Sequence, residues 1–309
     1  MKAMLVNDVK QGPVLIGGTI PEPRPAEGEL LIRVRAAGVT PTELVWYPTT
    51  HTKDGEVRTG AVPGHEFSGV IAELGSGVNG FKVGEEVYGM NDWFEDGATA
   101  EFCLTQPQSI ALKPKSLTHE LSATLPIGAL TAWQGLLVRA NMQAGDRVLI
   151  HGAAGAVGLF AVQLAHLHGA HVIATASAAN TEFVKQLGAD ETIDYKTSRF
   201  ENELRNVDIV FDAVGGDTVD RSWAVLKPNG RMVTIAADNE STTDQRIKDA
   251  FFIVEPSQKQ LIKVAKLFDT GTLHAFVSAV VPLEQAALAY GRAVPHKRGN
   301  GKVVVAVAA

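Results

Sequence analysis

Val148-Leu149-Ile150-His151-Gly152-Ala153-Ala154-Gly155-Ala156-Val157-Gly158-Leu159-Phe160-Ala161-Val162-Gln163-Leu164-Ala165 is the stretch that decides the fold. An apolar strand runs into small residues and then straight into a helix, so the helix's first N–H groups face whatever lies beyond the strand's C-terminal end. That arrangement is an anion site. Small residues let the backbone approach a pyrophosphate, and Gly158 lets the helix pack against the strand. The usual Gly-x-Gly-x-x-Gly fingerprint has Ala153 in its first position here, with Gly155 and Gly158 in the other two. The run approaches the roughly 18 apolar residues that can span a membrane, but its regularly spaced glycines favour a nucleotide turn. A tight turn without a ligand is the alternative reading.

Outward from this turn the texture alternates. A strand over 147–150 is followed by a helix over 156–168, a strand over 171–175 and a helix over 181–187, with further elements at 191–194, 207–213, 219–226 and 231–236. Strands alternating with helices build a parallel sheet covered on both faces, which predicts a doubly wound domain. Before about Pro114 the chain reads instead as short strands separated by Gly and Pro, such as Glu29-Leu30-Leu31-Ile32-Arg33-Val34-Arg35 and the run over 67–74 that ends at Gly75-Ser76-Gly77. Beyond 255, a helix over 256–268, a strand over 276–281, a helix over 283–293 and a strand over 302–307 are expected.

A chain of 309 residues, 45% hydrophobic and 20% charged, holds two ordinary cores at roughly 100–200 residues per domain. Its 28 basic and 34 acidic residues are scattered, and the formal charge of −6 argues against nucleic acid as a partner. The single cysteine, Cys103, excludes an internal disulfide and a four-cysteine zinc lobe. Asp8 and Lys10 interrupt the apolar run that a signal peptide would need. A cytoplasmic protein with no membrane partner is expected.

The second strand of the unit selects the cofactor. NAD-binding folds usually place an acidic residue at its end to bind the ribose 2′-hydroxyl. Here the stretch is Ile173-Ala174-Thr175-Ala176-Ser177-Ala178-Ala179-Asn180-Thr181, with no carboxylate to repel a 2′-phosphate and with Ser177 and Asn180 able to donate to one. NADP(H) is therefore favoured over NAD(H), although no Arg or Lys is present. Strand-exit and helix-capping roles for the two side chains are the alternative.

Further motifs occur in a fixed order around the turn: Pro63-Gly64-His65-Glu66-Phe67-Ser68-Gly69, Leu130-Thr131-Ala132-Trp133, then after the turn Leu187-Gly188-Ala189-Asp190 with Ile193-Asp194-Tyr195, and Phe211-Asp212-Ala213-Val214-Gly215-Gly216. With them the whole chain resembles the medium-chain dehydrogenase/reductase superfamily, in its zinc-independent quinone oxidoreductase and enone reductase branch of zeta-crystallin-like proteins. The resemblance implies an α/β protein in which a Rossmann doubly wound parallel-sheet domain (123–270) is inserted in a mainly β GroES-like catalytic domain (1–122 with 271–309).

It also implies roles for individual residues. Backbone groups of Ala154, Gly155, Ala156 and Val157 would hold the pyrophosphate, and Thr131 would meet the nicotinamide end. Ser177, Asn180 and Tyr195 would line the adenosine phosphate region. Val214, Ala236, Phe252 and Val254 would line the cofactor groove, with Lys302 near the cofactor on the last strand. Core packing is the competing role for the apolar members. A homodimer paired through 233–236 or 251–254 is expected on the same ground.

Zinc-bearing relatives place a cysteine where Thr40 stands, a histidine where His65 stands, and another sulfur or imidazole near Gly128. Only His65 remains here, so no metal is expected, and His65 reads as a hydrogen-bonded side chain near the substrate. Adjacent residues on a strand face opposite ways, so His65 and Glu66 cannot readily share one ion. Thr40, Trp46, Tyr47, Trp93 and His65 are the candidates for the substrate pocket, where flat rings could stack on a quinone.

Without a Lewis acid, alcohol oxidation loses the stabilisation of its alkoxide. A quinone or enone takes hydride at carbon while charge moves to oxygen, which a few preorganised donors can stabilise. The expected activity is NADP(H)-dependent reduction of such acceptors, with no certain catalytic side chain and with positioning as the main contribution. A cofactor-binding regulator with little turnover and an enoyl-thioester reductase are the alternatives.

Overall fold

The chain begins with β1 (Lys2–Asn7), β2 (Val14–Thr19), β3 (Leu30–Gly38), β4 (Glu66–Leu74), β5 (Glu86–Met90), β6 (Phe102–Thr105) and β7 (Ile110–Leu112). β3 shows why this half is β: over residues 32–35 buried Ile32 and Val34 alternate with Arg33 and Arg35, which are not buried, the period-2 pattern of a strand. Its partner β4 is antiparallel along its length. On its other edge β6 pairs with residues 30–33. The description is a computed structural model covering residues 1–7, 12–236, 242–295 and 299–307.

The middle of the chain supplies β8 (Arg147–His151), β9 (His171–Ala176), β10 (Glu191–Asp194), β11 (Val207–Asp212) and β12 (Leu226–Thr234). They form one parallel sheet in the order β10-β9-β8-β11-β12. The centre of β8 and most of the helix Gly158–Leu167 are apolar because they are enclosed: Val148, Leu149 and Ile150 are fully buried, as are Ala161, Val162 and Leu164. Each Val, Leu or Ile so buried contributes roughly 1.5–3 kcal/mol. Strand order reverses at β8, whose neighbours are β9 and β11, and open α/β sheets bind ligands at such a switch point.

The chain then returns through β13 (Val277–Pro282) and β14 (Lys302–Ala306). β14 pairs parallel with β13 and antiparallel with residues 36–38 of β3, completing the sheet β13-β14-β3-β4-β5-β7. The two units are Met1–Ile127 with Pro256–Ala309, and Gly128–Glu255. The second boundary differs from the expected 270, because the helix Gln258–Asp269 belongs to the first unit. Its buried stripe is Leu261, Val264 and Phe268. Tyr88 Oη donates to the Leu261 carbonyl (2.6 Å), and the Ser116 N–H donates to Asp269 (2.9 Å). The segment expected at 219–226 also divides, into a helix Asp217–Ser222 and the start of β12.

Candidate functional site

Functional side chains gather in two constellations, one in each unit. In the first, the turn Pro41–Val45 after β3 carries Glu43 inward, where it is fully buried beside His65. The N–H groups of Gly64 (2.8 Å) and His65 (3.2 Å) donate to Glu43 Oε1, which also takes a short bond from His65 Nδ1. His65 Nε2 lies 3.1 Å from the Glu95 carbonyl. Both ring nitrogens thus face oxygen atoms, an arrangement that the doubly protonated imidazolium satisfies. Burial works against that charge, but Glu43 and the two hydrogen bonds outweigh it and raise the His65 pKa.

His65 anchors the aromatic candidates. Its ring lies 5.2 Å from that of Trp93, which meets Trp46 edge-on at 5.1 Å. Tyr47 is half exposed and stacks on His51 at 4.5 Å. Arg58 donates to the carbonyls of Pro48 (2.9 Å) and Phe94 (3.0 Å), tying the segment that bears Tyr47 to the one that bears Trp93. Thr40 sits at the end of β3, where the Lys302 ammonium lies 3.5 Å from its Oγ1. Lys302 makes a close buried ion pair with Glu66 Oε1, and Glu66 Oε2 accepts from the Ile127 N–H (3.0 Å). Burial pushes the Glu66 carboxyl up, with Lys302 opposing. Adjacent His65 and Glu66 thus serve different partners. Burial also pushes the Cys103 thiol up to about 12, which leaves it inert at neutral pH.

In the second unit, Ala154, Gly155, Ala156 and Val157 form the turn between β8 and its helix, with Gly155 exposed and the others half-buried. Val157 precedes the helix and makes no side-chain cap. Gly158 is required by packing, since a Cβ there would lie 2.1 Å from the Gly152 carbonyl oxygen. At Gly155 that same oxygen would stand 3.1 Å away. Beside this turn lies the loop after β11. The buried Asp212 accepts from the N–H groups of Val214 (3.2 Å) and Gly215 (3.1 Å) and from Thr234 Oγ1 (2.8 Å), and Val214 remains exposed.

Ser177 and Asn180 follow β9, and neither side chain caps the helical turn it precedes. Tyr195 is exposed just after β10, and Ala236 is half-buried after β12. Thr131, Phe252 and Val254 are buried in this unit, where the Phe252 ring carries the Arg139 guanidinium at 5.0 Å. Lys302 belongs to the first unit, in the ion pair described above. Sequence reasoning assigned no role to Glu43 or Asp212. A lone carboxylate within its motif was the available signal for each.

Residues 26–135 match the family model described as alcohol dehydrogenase GroES-like domain, and residues 187–305 the one described as zinc-binding dehydrogenase. The chain is 34% identical over 307 residues to a probable zinc-binding oxidoreductase, mitochondrial, of Arthroderma benhamiae, covering 93% of this chain and 91% of that one. It is 31% identical over 320 residues to 2-methylene-furan-3-one reductase of Solanum lycopersicum, covering 99% and 79%. The quinone oxidoreductase of Coxiella burnetii superposes with a TM-score of 0.88 at 30% identity, covering 100% of this chain and 99% of that one.

The chain belongs to the medium-chain dehydrogenase/reductase superfamily. Members are oxidoreductases that use a nicotinamide cofactor, and the GroES-like and Rossmann-type parts of the fold are those of the superfamily. The donor set does not suit the zinc named for part of this family. Thr40 brings no sulfur, and both nitrogens of His65 are engaged. Gly128 offers no side chain, and a Cβ there would lie 2.6 Å from the Ala156 carbonyl oxygen. Among the described residues, no group of three or more His, Cys, Asp or Glu could hold a metal ion. The turn between β8 and its helix does suit a nucleotide pyrophosphate, with small residues and an uncapped helix start at a switch point.

Proposed function

We propose that this protein reduces quinones or α,β-unsaturated carbonyl compounds with NADPH and without zinc. The observation that carries the reading is the setting of His65, whose two nitrogens are both engaged by oxygen atoms of Glu43 and Glu95, which leaves neither for a metal. Without a Lewis acid, the acceptors best served are those that spread negative charge onto oxygen as hydride arrives at carbon. The names of the tomato and Coxiella relatives, an enone reductase and a quinone oxidoreductase, agree with that class.

NADPH is preferred over NADH in this reading because the exit of β9 carries no carboxylate, and Ser177 and Asn180 leave their side chains unspent on capping. When bound, the nicotinamide supplies a hydride. The protein's part is to hold: the 154–157 turn and Ser177 fix the phosphates, and the Trp46–Trp93 pair offers flat faces to a ring. The final proton comes from water.

The chain is also proposed to pair as a homodimer along 251–254. Phe251 bridges Thr234 of β12, so this segment forms the outer edge of the parallel sheet. Ile253 is exposed there between buried Phe252 and Val254. A light-scattering mass of one chain at micromolar concentration would remove this part alone.

A panel assay tests the function: NADPH oxidation with a quinone, an enone and an enoyl thioester, and NADP⁺ reduction with simple alcohols. Turnover with the quinone or the enone is expected. Oxidation with the thioester alone would reassign the substrate, and cofactor binding without any oxidation would leave a binding protein.

A further inference from the structure

We infer that the Thr40 hydroxyl is the donor that holds the oxyanion formed on the acceptor, with Lys302 and Glu66 as positioning residues behind it. This rests on the reductase reading above. Lys302 carries three donors and no acceptor. Its Nζ faces Thr40 Oγ1 at 3.5 Å, so the Thr40 proton must point away from it. Thr40 does not use its hydroxyl to cap the turn it precedes. It is half-buried, whereas Lys302 and Glu66 are buried. The hydroxyl is thus the outward end of a chain running from carboxylate to ammonium to hydroxyl.

Three neighbouring strands build this chain. β14 brings Lys302, the end of β3 brings Thr40, and the start of β4 brings Glu66. Gly38 leaves the space that Glu66 occupies, since a Cβ there would lie 2.5 Å from Glu66 Oε1 and 2.6 Å from its Cγ. The pair is a buried dipole whose positive end touches the Thr40 oxygen, and such preorganised charge is worth more in a dry site than in water. His65 cannot take this role, because both its nitrogens are engaged and the residue is buried.

In the step, hydride adds at the acceptor carbon and the π electron pair moves onto oxygen, giving an enolate; from a quinone this is the keto tautomer of the hydroquinone anion, which becomes aromatic when the proton on the sp3 ring carbon passes through water to oxygen. The Thr40 O–H donates to that oxygen. A proton from water then completes the two-electron reduction, and Thr40 is unchanged.

The test uses p-nitrophenol as a probe of the oxyanion site, titrated by absorbance with NADP⁺ present, together with steady-state kinetics. Wild type should bind the phenolate over the phenol and so lower the probe's apparent pKa. Thr40→Val should abolish that shift and lower kcat by about 10²-fold with little change in KM, the scale for losing one oxyanion donor. Thr40→Ser should recover most of both. Lys302→Met paired with Glu66→Gln, which leaves no buried charge unpaired, should reduce the shift while Thr40 remains. A wild type that does not lower the probe's pKa, or a Thr40→Val protein that lowers it equally, overturns the inference. If no quinone or enone is reduced by wild type, the reductase reading fails, and the probe titration still decides the role of Thr40.

Discussion

His65 and His151 are both buried, one in each unit, and their pKa values move in opposite directions. His65 sits between a carboxylate and a carbonyl, and its pKa is raised. His151, the last residue of β8, sits between the hydroxyls of Thr175 (3.1 Å) and Ser222 (3.0 Å). Burial, with Arg221 adding to it, pushes His151 down to about 3. The difference reflects how each unit handles a polar group out of water. The first encloses paired charges, Glu43 with His65 and Glu66 with Lys302. The second keeps its buried histidine neutral between two hydroxyls.

The largest expected effect comes from breaking the charged pair. Glu43→Ala would strand an imidazolium in the first unit and should lower stability by about 3–5 kcal/mol, the usual penalty for unpairing a buried ion. Urea unfolding measures it. A loss under about 1 kcal/mol, the scale of an exposed pair, would mean that His65 is neutral and the contrast false.

In the second unit a ligand effect should appear without a fold effect. Gly155→Val puts a branched side chain where a phosphate would lie, while a Cβ there meets only the Gly152 carbonyl oxygen at 3.1 Å. NADPH affinity should fall by about 10²-fold or more, roughly 3 kcal/mol, with far-UV circular dichroism unchanged. Undiminished affinity in the folded variant would take the nucleotide away from this turn. Gly158→Ala should instead damage the fold, because its Cβ would lie 2.1 Å from backbone.

The two histidines also predict opposite pH dependence. For His151 the folded pKa lies below the unfolded value near 6.5, so its contribution is complete above about 6.5 and is lost as pH falls toward about 3. Between pH 6.5 and 5 the loss is about 2 kcal/mol. For His65 the folded pKa is raised, so its contribution is complete below about 6.5 and is lost as pH rises through the folded value. Unfolding curves of His151→Asn and wild type should converge as the solution is acidified. Parallel curves would show that His151 is charged when folded.

The smallest effect sharpens the cofactor reading. Ser177→Asp adds a carboxylate where a 2′-phosphate would sit, and it should shift the kcat/KM ratio of NADPH to NADH by about tenfold toward NADH, near 1.4 kcal/mol. An unchanged ratio would return Ser177 to an ordinary strand exit.

The second unit was legible because its signals are local. The 148–165 run contains its own strand, turn and helix, and the pattern after it repeats that unit. The helix Gln258–Asp269 was expected in the wrong unit because its stripe reads the same whichever core it meets. Its partners, Tyr88 and Ser116, are far away in sequence. Glu43 and the Glu66–Lys302 pair were hidden for a related reason. Residues 66 and 302 become neighbours only through the pairing of β14 with β3 and of β3 with β4. Phe252 and Val254 illustrate the ambiguity of apolar residues in a groove motif, since core packing demands the same residue types.

The most direct test of zinc-free reduction is NADPH-dependent turnover of one quinone by protein treated with a strong chelator and verified metal-free by elemental analysis. The same kcat/KM is expected before and after treatment, because His65 is engaged by Glu43 and Glu95, Glu66 is paired with Lys302, and no group of three or more His, Cys, Asp or Glu among the described residues could hold a metal ion. Activity that falls as about one zinc per chain is removed, and returns when zinc is restored, would contradict it.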